Sequence, residues 1–226
     1  MKKICLCITN YNKEAFLERS IRSCLSQIQN EFNIEVMVIN DGSKKFNEKK
    51  IRREFPDVRI LSYKKNKGVA FASNLALKKT KADYFMRVDA DDFIGIKSSL
   101  ILSEILNENL KIPFVYGDII KIFANGFTKR LKRDSKIILL EHGAGILFRT
   151  KLLKSIKGYK EKLRNCEDFD LISRMEIKYG EGFYIPVGYY RYYMTHGSHL
   201  SKLNDRKKYI DMLKKKYEKY LSKNLK

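Results

Sequence analysis

Apolar residues fall along this chain in short runs of strand length, separated by polar turns and by stretches with helical spacing. Residues 3–9 form the first run, short enough for a buried strand. After it Phe16, Leu17, Ile21, Cys24, Leu25 and Ile28 recur on one helix face, and Asn12 is placed to cap that helix. Runs at 34–39, 58–63 and 82–88 predict three further strands, with a helical stretch reaching Lys79 between the last two. Strands alternating with helices predict an α/β chain, a mixed and mostly parallel sheet of βαβ units flanked by helices.

The second half continues the pattern. Residues 98–106 predict a helix and residues 114–122 a strand, and Asn125-Gly126 then predicts a hairpin whose partner is a basic strand at 127–133. A short strand at 146–148 follows Gly143-Ala144-Gly145. Phe169, Ile172 and Met175 mark a helix over 167–178, and residues 182–193 form an aromatic strand. From about Asn204, Tyr209, Ile210, Leu213, Tyr217, Tyr220 and Leu221 share one face of a Lys-rich helix. No internal repeat or low-complexity linker divides the chain.

The polar residues matter because of where the strands end. In open α/β sheets ligands bind outside the carboxyl ends of the strands. The four N-terminal strands end at Thr9-Asn10-Tyr11-Asn12, Asn40-Asp41-Gly42-Ser43, Asn66-Lys67-Gly68 and Asp89-Ala90-Asp91-Asp92. Any one of these is an ordinary turn; four on one edge of a sheet predict a cleft. Asp89 and Asp91, where the chain turns out of the sheet, can approach a single ligand. A hard divalent cation takes such oxygens, and Mg²⁺ is usually held by one or two carboxylates plus substrate phosphates. An isolated Asp-x-Asp is more often just a solvated turn, so the case for a metal rests on what surrounds it. Glu167-Asp168 has a similar bland reading, as the acidic first turn of a helix favoured by the macrodipole.

Composition narrows the class. The 226 residues can bury a substantial core, and 44% hydrophobic content fits a globular protein. Lys and Arg number 47 against 26 Asp and Glu, a net charge of +21. That excess fits either a polyanionic partner or a lysine-rich habit. No apolar run approaches the roughly 18 residues of a membrane span, and the run at 4–8 is too short for a signal peptide. The expected location is cytoplasmic, and the four cysteines, none with zinc-finger spacing, are expected to be reduced structural thiols.

Taken in order, Thr9-Asn10-Tyr11-Asn12, Asp41-Gly42-Ser43, Asn66-Lys67-Gly68, Asp89/Asp91 and Glu167-Asp168-Phe169-Asp170-Leu171 resemble glycosyltransferase family 2, over about residues 4–201. The resemblance implies the GT-A, Rossmann-like fold and inverting transfer from a nucleotide sugar, with a UDP-sugar favoured. It implies a nucleotide lying against Thr9, Asn10, Tyr11, Asn12, Asp41, Asn66, Gly68, Asp89 and Ala90, with Asp41 on the base and Tyr11 beside it. By the same resemblance Asp91 is a direct ligand of Mn²⁺ or Mg²⁺, Asp89 contacts the ribose and metal-bound water, and Asp168 is the general base. His196 resembles a metal or diphosphate contact, although a His in a Gly/Ser loop is more often a surface residue. Glu167, His142 and Gly143 are expected on the acceptor side. Arg191 either approaches the diphosphate or pairs with a carboxylate, and Asp92 has no assigned role. The chain departs from the family at Thr9-Asn10, where Pro-Thr is usual, at Asn40, which replaces an Asp, and at Ser73, a place that often carries Arg.

The expected organisation is a catalytic domain over 1–201, with a nucleotide-sugar half (1–95) and an acceptor half (96–201), followed by a basic amphipathic helix at 202–226. That helix either packs on the domain or lies on an anionic membrane near a lipid-linked acceptor. The expected acceptor is a glycan or lipid-linked hydroxyl in surface polysaccharide or glycolipid synthesis, at the inner face of the cell membrane. Two other readings compete. One is a basic nucleic-acid-binding module, supported by charge alone and by no zinc-finger, KH or RNP-like signature. The other is a different metal-dependent phosphate enzyme, such as a nucleotidyltransferase, using Asp89 and Asp91.

Overall fold

The structure, a computed structural model, describes residues 1–30, 32–134, 142–194 and 203–224, with side chains in the last segment only for 207–222. Strands β1 (Lys2–Asn10), β2 (Phe32–Asp41), β3 (Arg59–Tyr63) and β4 (Tyr84–Asp89) alternate with helices α1 (Glu14–Leu25), α2 (Glu48–Glu54) and α3 (Val69–Lys79). Then come β5 (Phe93–Ile94), α4 (Ser98–Glu108), β6 (Phe114–Phe123), β7 (Thr128–Leu131), β8 (Leu147–Arg149), α5 (Thr150–Ser155), α6 (Glu167–Tyr179), β9 (Phe183–Met194), α7 (Leu203–Lys216) and α8 (Glu218–Asn224).

The strands form one mixed sheet in the order β3-β2-β1-β4-β8-β6-β9-β5, with β7 paired to β6. β3, β2, β1 and β4 pair in parallel, so Asn10, Asp41 and Asp89 finish on one edge. β8 enters antiparallel between β4 and β6, which joins the second half of the chain to the first in one sheet. The expected helix-flanked α/β architecture is therefore present.

Alternation along β1 shows why helices cover both faces. Ile4, Leu6 and Ile8 pack with Leu17, Ile21 and Cys24 of α1 and with Leu102 and Leu106 of α4. Cys5 and Cys7 point the other way, into a core with Ala72 and Ala76 of α3 and Ile172 and Met175 of α6. Each fully buried Leu or Ile contributes about 1.5–3 kcal/mol.

Several expectations shift. Asn12 does not cap α1: it takes a left-handed backbone (φ 54°), its N–H donates to Ser43 Oγ, and Lys13 occupies the cap position. α2 leaves no apolar stripe in the sequence because only Ile51 is buried; Asn47 caps it by accepting the Lys50 N–H. The C-terminal helix is interrupted at Tyr217, and its stripe packs on α6. Leu213, Tyr217 and Leu221 are buried there, and the Tyr217 ring stacks on Phe169. The apolar face offered above as a membrane contact is thus internal at these three residues. Among the described residues no helix is long and apolar enough to cross a membrane.

Candidate active site

The polar strand ends open into a cavity of about 990 Å³. Thr9, Asn10, Tyr11, Asp41, Asn66, Gly68, Asp89, Ala90, Asp91, His142, Glu167 and Asp168 all line it. Two expected residues do not. Asn12 is turned toward Ser43, and Gly143 acts one step back, donating its N–H to Asp168 Oδ2 at 3.0 Å. Arg191 and Ser73 are also absent from the wall, Ser73 being fully buried on α3. His196 lies outside the described residues.

Asp41, at the end of β2, is buried and organises the loop before α3. Its Oδ2 accepts from Asn66 Nδ2 and the Gly68 N–H, both at 2.8 Å, and its Oδ1 accepts the Lys67 N–H at 2.6 Å. Asn10 Oδ1, on the neighbouring strand, is buried without a hydrogen-bond partner.

The turn after β4 splits its three carboxylates. Asp92 is fully buried and accepts from the Tyr190 hydroxyl at 2.7 Å and from the Tyr193 N–H at 2.9 Å. Burial raises its pKa well above the usual range. It anchors the turn to β9 and leaves Asp89 and Asp91 to face the cavity. Asp91 pairs with the Lys13 ammonium at 2.8 Å. Burial raises the Asp89 pKa and Arg87 opposes the shift.

Arg87 is the organising residue that pattern reasoning left without a role. Alternation along β4 turns it to the α6 side, where it is 3% exposed. Its Nη1 and Nη2 donate to Asp168 Oδ1 and Oδ2 at 2.9 and 3.0 Å. Its Nε lies 3.1 Å from Asp89 Oδ1, and Nη1 lies 3.4 Å from Glu167 Oε1. Burial works against its charge, but Asp168, Asp89, Tyr159 and Glu167 outweigh it and hold the pKa well above the ordinary value. One guanidinium thus links the Asp89 end of the cavity to the Glu167-Asp168 end. A charge inside Tyr84-Phe85-Met86-Arg87-Val88 was the available signal, because a buried Arg requires partners.

Cys166 precedes α6 in a left-handed backbone (φ 59°), a strained state for a non-glycine residue that recurs at functional sites. It aims Glu167 and Asp168 into the cavity. Asp168 Oδ2 accepts from both Arg87 and Gly143, so the remaining acceptor position is on Oδ1. Glu167 has only the long Arg87 contact among its described side-chain partners. Burial and then the Asp168 charge push its pKa up to about 7.

The far wall was not foreseen. Ile210, Lys214, Glu218, Leu221 and Ser222 of α7 and α8 line the cavity. The segment is fastened by the fully buried Asp170, whose Oδ1 accepts from Lys216 Nζ at 2.8 Å and from the Tyr217 hydroxyl at 2.7 Å. Arg174 Nε donates to Asp170 Oδ2 at 2.6 Å, and Tyr220 donates to Glu176.

For a divalent cation the donor set fits in part from the protein. Asp89 and Asp91 offer hard oxygens on the cavity wall, and among the described residues no group of three or more His, Cys, Asp or Glu gathers as a metal cage. Two carboxylates with substrate phosphates completing the shell is the usual arrangement for Mg²⁺.

Residues 5–175 match Glycosyl transferase family 2. A teichoic acid poly(glycerol phosphate) polymerase of Staphylococcus epidermidis is 33% identical over 96 residues, 41% of this chain and 13% of that protein. Among solved structures, S. aureus TarS 1–349 in complex with UDP-GlcNAc superposes with a TM-score of 0.76 at 20% identity, covering 94% of this chain and 65% of that one. The mannosyltransferase PcManGT of Pyrobaculum calidifontis, with GDP-Man and Mn²⁺, gives a TM-score of 0.66 at 16% identity, covering 87% and 58%. These likenesses show the fold. The chain spans 13% and 30% of the length of the first two curated relatives it matches.

Proposed function

This chain belongs to glycosyl transferase family 2, and on that premise we propose that it transfers a sugar from a nucleoside-diphosphate sugar to a hydroxyl of a glycan or lipid-linked acceptor, inverting the anomeric carbon. The observation that carries the reading is the gathering of Asp41, Asp89, Asp91, Glu167 and Asp168 on one cavity, with Arg87 bridging its two ends. A UDP-sugar is the favoured donor, supported by the structural neighbour crystallised with UDP-GlcNAc. Surface polysaccharide or glycolipid synthesis, at the inner face of a cell membrane, is supported by the relative that polymerises teichoic acid.

In this reading Asp41 and Tyr11 receive the base and Asp89 the ribose. Asp91, with Asp89 beside it, would hold Mn²⁺ or Mg²⁺, which when bound stabilises charge on the departing diphosphate. Lys13, now on Asp91, is a second positive group at that end. Asp168 accepts the acceptor's hydroxyl proton at its open Oδ1 position. Arg87, on both oxygens of that carboxylate, fixes its angle of approach. Proton transfer of this kind is worth roughly 10²–10⁴-fold.

One observation favours a second reading of the proton's destination. Glu167 has fewer contacts and a pKa of about 7, close to that of an efficient general base at neutral pH. The test uses the full chain with UDP-GlcNAc and Mn²⁺, reading thermal shift and UDP release. Binding should raise the midpoint in a metal-dependent way. Asp168→Asn should bind the donor nearly normally and release UDP roughly 10²–10⁴-fold more slowly. Normal turnover in Asp168→Asn with loss in Glu167→Gln would transfer the role to Glu167. If no nucleotide sugar shifts the midpoint, the donor reading is wrong.

A further inference from the structure

The hairpin of β6 and β7 carries positive charge that the fold does not use. Residues 119–132 include four cations, Lys121, Lys129, Arg130 and Lys132, and no Asp or Glu. Arg130 is neutralised by Asp118, its Nε donating to Oδ2 at 2.6 Å. The three lysines make no ion pair among the described residues. Lys121 and Lys129 stand directly opposite each other in the antiparallel register. Like charges so placed destabilise a strand pair, a local cost that an anion would relieve.

Alternation sets what shares their face. One pair inward, Ile119 is buried in the core and Leu131 packs against it; Phe123 and Phe127 lie one pair outward. The Phe123 N–H donates to the Phe127 carbonyl at 2.9 Å, their rings meet at 5.7 Å, and Phe127 is 59% exposed. Nothing lies within 4 Å of where a Cβ on Gly126 would stand, so the turn projects into open space. From core to tip the face reads apolar pair, cationic pair, aromatic pair.

The same face adjoins the candidate active site. β6 runs parallel to β9 with Lys121 beside Tyr192 and Phe123 beside Met194, at the usual strand spacing of about 4.8 Å. Tyr192 lines the cavity, and its ring meets that of His142 at 4.7 Å. The hairpin therefore stands next to the wall expected to face the acceptor.

An exposed aromatic tip backed by a cationic pair matches an anionic bilayer, with ammonium groups at headgroup depth and rings just beneath them. A single-stranded nucleic acid would meet the charge, but the two rings are tilted on each other by 42° as one wedge and are not laid out as separate platforms for successive bases. We propose that the β6–β7 hairpin is the membrane contact of this chain, its Phe123–Phe127 tip entering an anionic lipid surface beside the acceptor wall of the cavity. The inference rests on the membrane location in the reading above and gives that location a surface. The C-terminal helix does not supply one through its apolar stripe, because Leu213, Tyr217 and Leu221 are buried on α6. A lipid-linked acceptor held in that surface would meet the cavity from the Tyr192 side.

The test is co-sedimentation of the full chain with vesicles of phosphatidylcholine alone and of an equal mixture with phosphatidylglycerol. Only the mixed vesicles should carry the protein down. Each basic residue at such a surface is worth about fivefold, so Lys121→Gln/Lys129→Gln should bind roughly tenfold or more weakly. Its thermal midpoint should stay the same or rise, because the like-charge pair is gone. Phe127→Ser should weaken binding about fivefold. Lys207→Gln/Lys208→Gln/Lys215→Gln, at exposed positions of α7, should cost less than the hairpin pair. Hairpin variants that bind as well as the parent, or a loss confined to the α7 variant, overturn the proposal. So does capture of an RNA oligonucleotide without binding to the mixed vesicles, which would put a nucleic acid on the hairpin. The UDP-GlcNAc thermal shift, read on the same preparations, separates this from the donor reading. A normal shift without vesicle binding removes only the membrane contact, and vesicle binding without a shift removes only the donor.

Discussion

Replacing Arg87 by methionine tests the link between the two ends of the cavity. The side chain is 3% exposed, donates to both oxygens of Asp168, and contacts Asp89 and Glu167. Methionine fills similar space without charge, leaving these carboxylates without their shared counterion. Removing one partner of a buried pair costs about 3–5 kcal/mol. For 226 residues the unfolding entropy is about 0.5 kcal/mol/K, so the midpoint should fall by roughly 6–11 °C. The loss depends on pH. Asp89 and Glu167 have raised folded-state pKa values even with Arg87 opposing the shift, and loss of its charge raises them further. A raised folded pKa gives stability that is full below the unfolded pKa and lost as pH rises through the folded one. The deficit should therefore be largest at pH 8 and shrink toward pH 4. Urea unfolding of the single variant and of Arg87→Met/Asp168→Asn at both pH values is the assay. The double variant should recover about 1–3 kcal/mol at pH 8 through coupling of the pair. A single variant within 2 °C of the parent at pH 8, or a double variant no better than the single, refutes the account.

Three further outcomes follow from the same geometry. Glu167 has a folded pKa of about 7 against an ordinary 4.5, so its stabilisation is full below pH 4.5 and disappears as pH rises through 7, a change on the order of 3 kcal/mol. Glu167→Gln should flatten that slope and be the more stable protein at pH 8, read by unfolding free energy across the range; a parallel pair of curves would count against it. Asp170, held down to about 2 against burial by Lys216, Tyr217 and Arg174, contributes on the order of 2–3 kcal/mol above pH 4 that is lost as pH falls through 2. Asp170→Asn should remove that contribution and speed amide exchange across 207–222, whereas unchanged exchange there would mean the segment is held by its apolar face alone. Asp91→Asn should weaken UDP binding roughly tenfold with Mn²⁺ and little with chelator, because only a cation-bridged contact is lost; equal weakening in both would argue against a metal at Asp91.

The strands and the cavity wall were legible because both follow from local pattern. Apolar runs such as 3–9 and 82–88 mark buried strands, and parallel pairing sends their polar ends to one edge, so Asp41, Asp89 and Asp91 could be grouped before any contact was known. Arg87 was not legible in its role because its partner Asp168 lies 81 residues away, and pairing at that range leaves no periodic trace. α2 was hidden by its charge, with only Ile51 buried. The apolar stripe of the C-terminal helix was visible, but a stripe states that something covers it and not what; here the cover is α6, and the neighbouring side chains face the cavity. Asn12 had the right residue type for a cap, yet it sits in a left-handed turn one residue too early and Lys13 holds the cap position.

Gly143 sets a limit on how this enzyme's selectivity can drift. A Cβ at that position would stand 2.4 Å from the Asp168 carboxyl carbon, so even alanine would push aside the group that Arg87 and the Gly143 N–H hold in place. The segment beside His142 is consequently a poor place for evolution or a mutant library to seek new acceptors, since variants would lose turnover before preference changed. Ile210, Lys214 and Ser222 on the opposite wall carry no such constraint. Diversity among related chains, and productive library positions, should concentrate on that wall while position 143 stays glycine.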